Sequence, residues 1–201
     1  MPRRPIIVFA LIVLVLAAGL GAFAFLNRQI PGINGSGTAL VGGPFTLTDQ
    51  TGKRVSEKDF LGRHMLVFFG FTYCPDICPT ELQVMTAALD MMGADGDRIQ
   101  PVFITVDPER DTPEVMKSYV ENFGPRLVGL TGSLEEITAV AKAYRVYFAK
   151  AAKTGTDDYL MDHSSIIYLM GPDGRFLKHF TYTTDAQKLA AALKEALTLS
   201  P

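Results

Sequence analysis

The stretch FFGFTYCPDICPTEL, residues 68–82, passes from apolar residues through a polar loop into a helical pattern, and it holds both cysteines of the chain, Cys74 and Cys78. Upstream it continues HMLVFFGF (64–71), an unbroken apolar run of the length of a buried central strand. Downstream, Leu82, Met85, Leu89 and Met92 recur at three- and four-residue spacing, the stripe of an amphipathic helix. A loop leaving such a strand and entering such a helix lies at the carboxyl edge of an α/β sheet, where functional groups gather. Pro79 suits the first helical position, which makes Cys78 the expected N-cap and sets the helix dipole to favour thiolate.

The remaining segments extend this pattern. FTLTDQTGKRV reads as a hairpin ahead of the central strand. PVFITVD is a second apolar strand, TPEVMKSYVENFG a short capped helix, RLVGL a strand, and SLEEITAVAKAYRV a helix opened by a Ser-x-x-Glu box. SSIIYLM, the turn GPDG and RFLKHFTY form a second hairpin, and DAQKLAAALKEAL a closing helix. The order predicts an α/β fold, a mixed central sheet flanked by helices with its last part antiparallel, as in the thioredoxin arrangement.

The chain has 201 residues, room for one globular domain plus a tail or anchor. Its 19 Lys+Arg balance 21 Asp+Glu with no basic block, which argues against a nucleic-acid partner. Residues 6–26, IIVFALIVLVLAAGLGAFAFL, carry no charge over 21 positions and follow Arg3 and Arg4, so a single transmembrane anchor is expected, with residues 1–5 cytoplasmic. A cleaved signal peptide competes through AFA at 22–24, but its apolar core is usually shorter. Residues 27–43 read as a flexible Gly-rich tether, and the domain is expected over 44–201. No transit peptide is read before the anchor, which places the expected domain in the periplasm, on a bacterial inner membrane.

Three readings compete for Cys74 and Cys78. A static disulfide would close a very small loop and so stabilise little. Thiol exchange is the second, although Cys-x-x-x-Cys is one residue longer than the usual redox spacing. A soft-metal site is the third, and two cysteines need a further ligand. His64 and His179 read as packing or surface residues. His163, in DYLMDHSSIIYLM, stands between a polar loop and an apolar run and is expected to enter a central strand from its loop end. Met85, Met91 and Met92 read as core.

FTYCPDICP (71–79), VDPERDTPE (106–114) and DYLMDHS (158–164), in this order and with the GPDG turn, resemble the Sco/SenC signature over about residues 42–195. The resemblance implies a tethered thioredoxin-like copper-binding factor in cytochrome c oxidase assembly. It carries the metal ligands onto Cys74, Cys78 and His163, which suits the chemistry: thiolates select Cu(I), and an imidazole extends the site to Cu(II). Residues 156–163 contain no proline where thioredoxin-like reductants usually place a cis-proline, which favours metal over turnover.

Asp76 and Asp162 are candidates to hold the histidine's other nitrogen. Asp107, Arg110 and Asp111 are candidates for a partner-recognition loop, against a plain turn and helix cap through Thr112 and Pro113. Implied partners are the CuA site of cytochrome c oxidase subunit II, an upstream periplasmic copper donor, and a thiol reductase, because a Cys74–Cys78 disulfide would block loading. The chain is not expected to be an enzyme, with thiol:disulfide oxidoreductase the rival. A peroxidase is disfavoured by GFTY before Cys74, and zinc is the alternative metal.

Overall fold

A computed structural model describes residues 41–151 and 159–199. The expected anchor (6–26), the N-terminal residues 1–5 and the tether up to residue 40 lie outside the described residues. Among the described residues no helix is long and apolar enough to cross a membrane.

The central strand is β3 (His64–Gly70), buried at every position. It runs parallel to β4 (Ile99–Thr105), which runs parallel to β5 (Val128–Thr131). The first hairpin, β1 (Thr46–Asp49) and β2 (Arg54–Ser56), adds antiparallel at the β5 edge. The second, β8 (Ile166–Met170) and β9 (Phe176–Thr181), adds antiparallel beside β3. The sheet order is thus β2-β1-β5-β4-β3-β8-β9. The expected mixed sheet flanked by helices is met.

Strand β3 reads as continuously apolar because both its faces are covered. Helix α1 (Ile77–Met91) lays Leu82, Met85 and Leu89 into the core, each at most 1% exposed. α1 packs against α4 (Ala186–Leu199). Helix α2 (Pro113–Val120) packs against β5 and starts where Thr112 accepts the Val115 N–H, with Pro113 at its first position. Helix α3 (Leu134–Tyr144) starts with the Ser133/Glu136 capping box and ends at Arg145 in the left-handed region, φ 58°. Of the methionines read as core, Met85 and Met92 are buried, whereas Met91 is half exposed.

A separate two-stranded ribbon pairs β6 (Phe148–Lys150) with β7 (Met161–His163), Phe148 opposite His163. It is not part of the main sheet. His163 was expected to enter a central strand; instead it ends this ribbon, three residues before β8. With three residues per strand, the ribbon escapes any reading based on hydrophobic alternation.

Candidate metal centre

The cysteine loop hangs from the end of β3 and is fastened from below. Asp111, fully buried, accepts the Thr72 backbone N–H at 3.1 Å and the hydroxyls of Thr72 and Thr105, each at 2.5 Å. The Cys74 N–H reaches back to the Phe71 carbonyl at 3.2 Å. Helix α1 then begins at Ile77 with Asp76, not Cys78, as its N-cap. Pro79 is tolerated anywhere in the first turn, where N–H groups have no partner in the helix, so it set the start two residues late. The consequence falls on Cys74. The Cys78 N–H points at Cys74 Sγ, 3.4 Å away, so it is Cys74 that the helix terminus stabilises.

Cys78 itself is fully buried, and both cysteines are free thiols. Gly70 makes this possible: a Cβ at that position would stand 2.7 Å from Cys78 Sγ and 2.9 Å from the Phe103 ring. On the other side, Cys78 Sγ lies 3.4 Å from His163 Nε2. The ring of His163 meets Phe68 and Phe71 edge to face, with centroids 6.2 and 5.9 Å apart.

The electrostatics separate the two sulfurs. Hydrogen bonds from the Cys78 side chain, from His163 and from the Cys78 and Asp76 backbone N–H groups outweigh desolvation and lower the Cys74 pKa to about 4. Cys78 moves far up, because it donates to its ionised neighbour and is buried beside it. Cys74 is therefore thiolate at neutral pH and Cys78 the proton donor beside it. His163 Nδ1 faces the Ser164 carbonyl at 3.3 Å and Nε2 faces the sulfurs, so the ring can donate to the Cys74 thiolate through Nε2 or, with its proton on Nδ1, turn the Nε2 lone pair toward an incoming ion.

Cys78 thus stands between the Cys74 sulfur, which its backbone N–H meets, and the His163 imidazole, which its own sulfur meets. Ligand atoms sharing an ion at metal–sulfur and metal–nitrogen distances of about 2.3 and 2.0 Å stand roughly 3.5 Å apart. The 3.4 Å separation of Cys78 Sγ and His163 Nε2 fits such a pair. Among the described residues no group of three or more His, Cys, Asp or Glu is placed to hold a metal ion as it stands.

Five of the other residues singled out in the sequence need correction. Asp76 and Asp162 are solvent-exposed, and the histidine's second nitrogen is met by a backbone carbonyl instead of either carboxylate. Asp107 and Asp111 do not form a surface for a partner, being 1% and 0% exposed. They are braces of the site, Asp111 for the cysteine loop and Asp107 for Tyr159, whose hydroxyl it accepts at 2.8 Å. Arg110 lies inward too, with its Nε 2.5 Å from Asp107 Oδ2. His64 is buried at the opposite end of β3, as expected of a packing residue. Sequence reasoning passed over Gly70, Thr72, Tyr159 and Ser164. The nearest signal was the presence of Thr72 and Tyr159 inside the quoted motifs.

A family model described as SCO1/SenC matches residues 34–198. The human mitochondrial SCO1 homolog is 47% identical over 159 residues, 78% of this chain and 53% of that protein, so the chain spans about half of its relative's length. The structure of Bradyrhizobium japonicum ScoI with copper bound is 48% identical, with a TM-score of 0.71 over 77% of this chain and 98% of that one. BsSco is 30% identical with a TM-score of 0.62 over 82% and 98%; it is described as a member of the Sco family of cytochrome c oxidase assembly proteins, with a disulfide switch.

The mitochondrial relatives correct one expectation. The bacterial inner-membrane placement, with the domain in a periplasm, is overturned by relatives such as the human SCO1 homolog and yeast SCO2, which are mitochondrial. That placement rested on a leader segment, and a leader does not shape the folded domain by which the relatives are matched. From the match over residues 34–198 and the identities above, the chain belongs to the SCO1/SenC family.

Proposed function

We propose that this chain is a copper metallochaperone that carries one copper ion on Cys74, Cys78 and His163 and delivers it to the CuA centre of cytochrome c oxidase subunit II. The observation that carries the reading is the 3.4 Å approach of His163 Nε2 to Cys78 Sγ across 85 residues of sequence. An imidazole nitrogen beside the two sulfurs supplies the third donor that Cu(II) needs and that the cysteine pair alone lacks. Two sulfurs suit Cu(I), and the imidazole added to them suits Cu(II), so one site can accept either state as cargo. The copper-bound ScoI structure and the assembly role described for BsSco's family support the same reading.

Loading needs the reduced dithiol, so an upstream copper donor and a thiol reductase are the implied partners. The apolar segment 6–26 would hold the domain at a membrane. Copper analysis of the reduced, Cu(II)-loaded chain after gel filtration is expected to give near one ion per chain, falling to background in Cys74→Ser, Cys78→Ser and His163→Ala. Unchanged loading in His163→Ala would remove the histidine from the site.

A second reading is a thiol:disulfide oxidoreductase that keeps the CuA-site cysteines reduced. It is favoured by the low pKa of Cys74 beside a protonated Cys78 and by the disulfide switch described for BsSco. Oxidase assembly in cells carrying His163→Ala separates the two: it fails for a chaperone and survives for a reductase.

A further inference from the structure

We propose that Arg110 is the positioning residue for the histidine arm of the site, a guanidinium wedge that holds the segment bearing His163 in register with the loop bearing Cys74. The inference rests on the copper reading above.

His163 ends a ribbon of three-residue strands outside the main sheet, and an isolated two-stranded ribbon is marginal in water. Something must fix it relative to Cys78, which is rooted in α1. Tyr159, four residues before His163, is the attachment. Its ring lies against the Arg110 guanidinium, with Cζ 3.8 Å from the ring centroid. The same guanidinium lies 4.6 Å from the ring centroid of Tyr73, the residue before Cys74, and 6.0 Å from that of Phe71. One planar cation therefore touches aromatic rings from both arms of the ligand set.

The wedge is itself anchored. Asp107 lies two residues past the end of β4 and is 1% exposed. One of its oxygens takes Arg110 Nε and the other takes the Tyr159 hydroxyl, so carboxylate, guanidinium and phenol close a three-membered circuit on the central sheet. Arg110 Nη2 is buried without a hydrogen-bond partner. At 17% exposure the side chain has little surface to offer a partner protein. A lysine could neutralise Asp107 but has no planar fork to stack between two rings.

Cu(I) can rest on two thiolates, whereas Cu(II) needs the nitrogen. Loosening the wedge is therefore expected to weaken Cu(II) binding about tenfold or more while changing Cu(I) affinity about threefold or less. Arg110→Gln and Tyr159→Leu, made separately and together, test this by Cu(II) electron paramagnetic resonance and by competition titrations with both oxidation states. Each single variant should alter the Cu(II) spectrum, the double variant should add little to either, and Arg110→Lys should not rescue.

Hydrogen exchange of the copper-free chain gives the second readout: peptides over 159–166 should exchange about tenfold faster, with β3 and β4 unchanged. If Arg110→Gln does not fold, Tyr159→Leu carries both measurements. Wild-type exchange over 159–166 and an unchanged Cu(II) spectrum would overturn the proposal. So would a parallel loss of Cu(I), Cu(II) and global protection, the mark of general destabilisation. Failure of the wild-type chain to bind copper would instead overturn the metal reading, and exchange in the copper-free variants would still decide the wedge.

Discussion

The two arms of the site are built differently. Cys74 and Cys78 sit between a seven-residue strand buried at every position and a fifteen-residue helix, and Asp111 ties their loop to the sheet through three hydrogen bonds. His163 ends a ribbon of three-residue strands attached through Tyr159, the buried side chain of Met161 and its own ring packing. The sulfur arm is part of the hydrophobic core, while the nitrogen arm is hung on its rim. A site assembled this way holds the two cysteines fixed and lets the histidine move without unfolding the domain.

Core substitutions should expose the contrast most strongly. Phe103→Ala, in β4 beneath the cysteines, should cost about 3–5 kcal/mol, while Phe148→Ala in the ribbon should cost less than about 1 kcal/mol. Urea denaturation followed by circular dichroism measures both; similar losses would mean that the ribbon belongs to the cooperative core after all. Gly70→Ala comes next. Its Cβ would strike Cys78 Sγ and Phe103, an overpacking cost of about 1–3 kcal/mol, and it should displace the buried sulfur enough to lower copper occupancy. Removing the brace of the rigid arm with Asp111→Ala should cost about 1–3 kcal/mol by leaving its Thr72 and Thr105 donors unpaired, and it should speed exchange at Thr72.

A smaller effect of opposite sign is expected at Glu81, in α1 and 3% exposed, with Oε2 unpaired. Burial raises its pKa above the usual 4.5. The folded state therefore holds the proton more tightly than the unfolded chain, and the contribution of this group to stability falls as pH rises above that value. Glu81→Gln should stabilise the fold by about 1 kcal/mol at pH 7, with the gain disappearing in melts run below pH 4.5. The last expectation concerns reactivity alone. Iodoacetamide should modify Cys74 and spare Cys78, at a rate flat across neutral pH and falling only as pH approaches about 4.

The same contrast governs what could be read before any coordinates. Strand β3, helix α1 and both hairpins announce themselves because long apolar runs and Gly-containing turns are local signals, and Cys74 and Cys78 lie within one of them. The helix start slipped by two residues because Pro79 fits several first-turn positions. The ribbon left no trace, since its pairing joins residues 148–150 to 161–163 and each strand is too short for a period. The stacking of Tyr73 and Tyr159 on Arg110 brings together three segments distant in sequence, so burial, the fact that reassigns Asp107 and Asp111 from partner loop to brace, became visible only in the fold.

The unequal burial of the two sulfurs gives the site a front and a back. Cys78 meets no solvent, so any visiting protein, whether it brings an ion, takes one away or attacks a disulfide, has to address Cys74 first. Traffic through this site is thereby single file, and the order in which bonds to sulfur are made on arrival is reversed on departure.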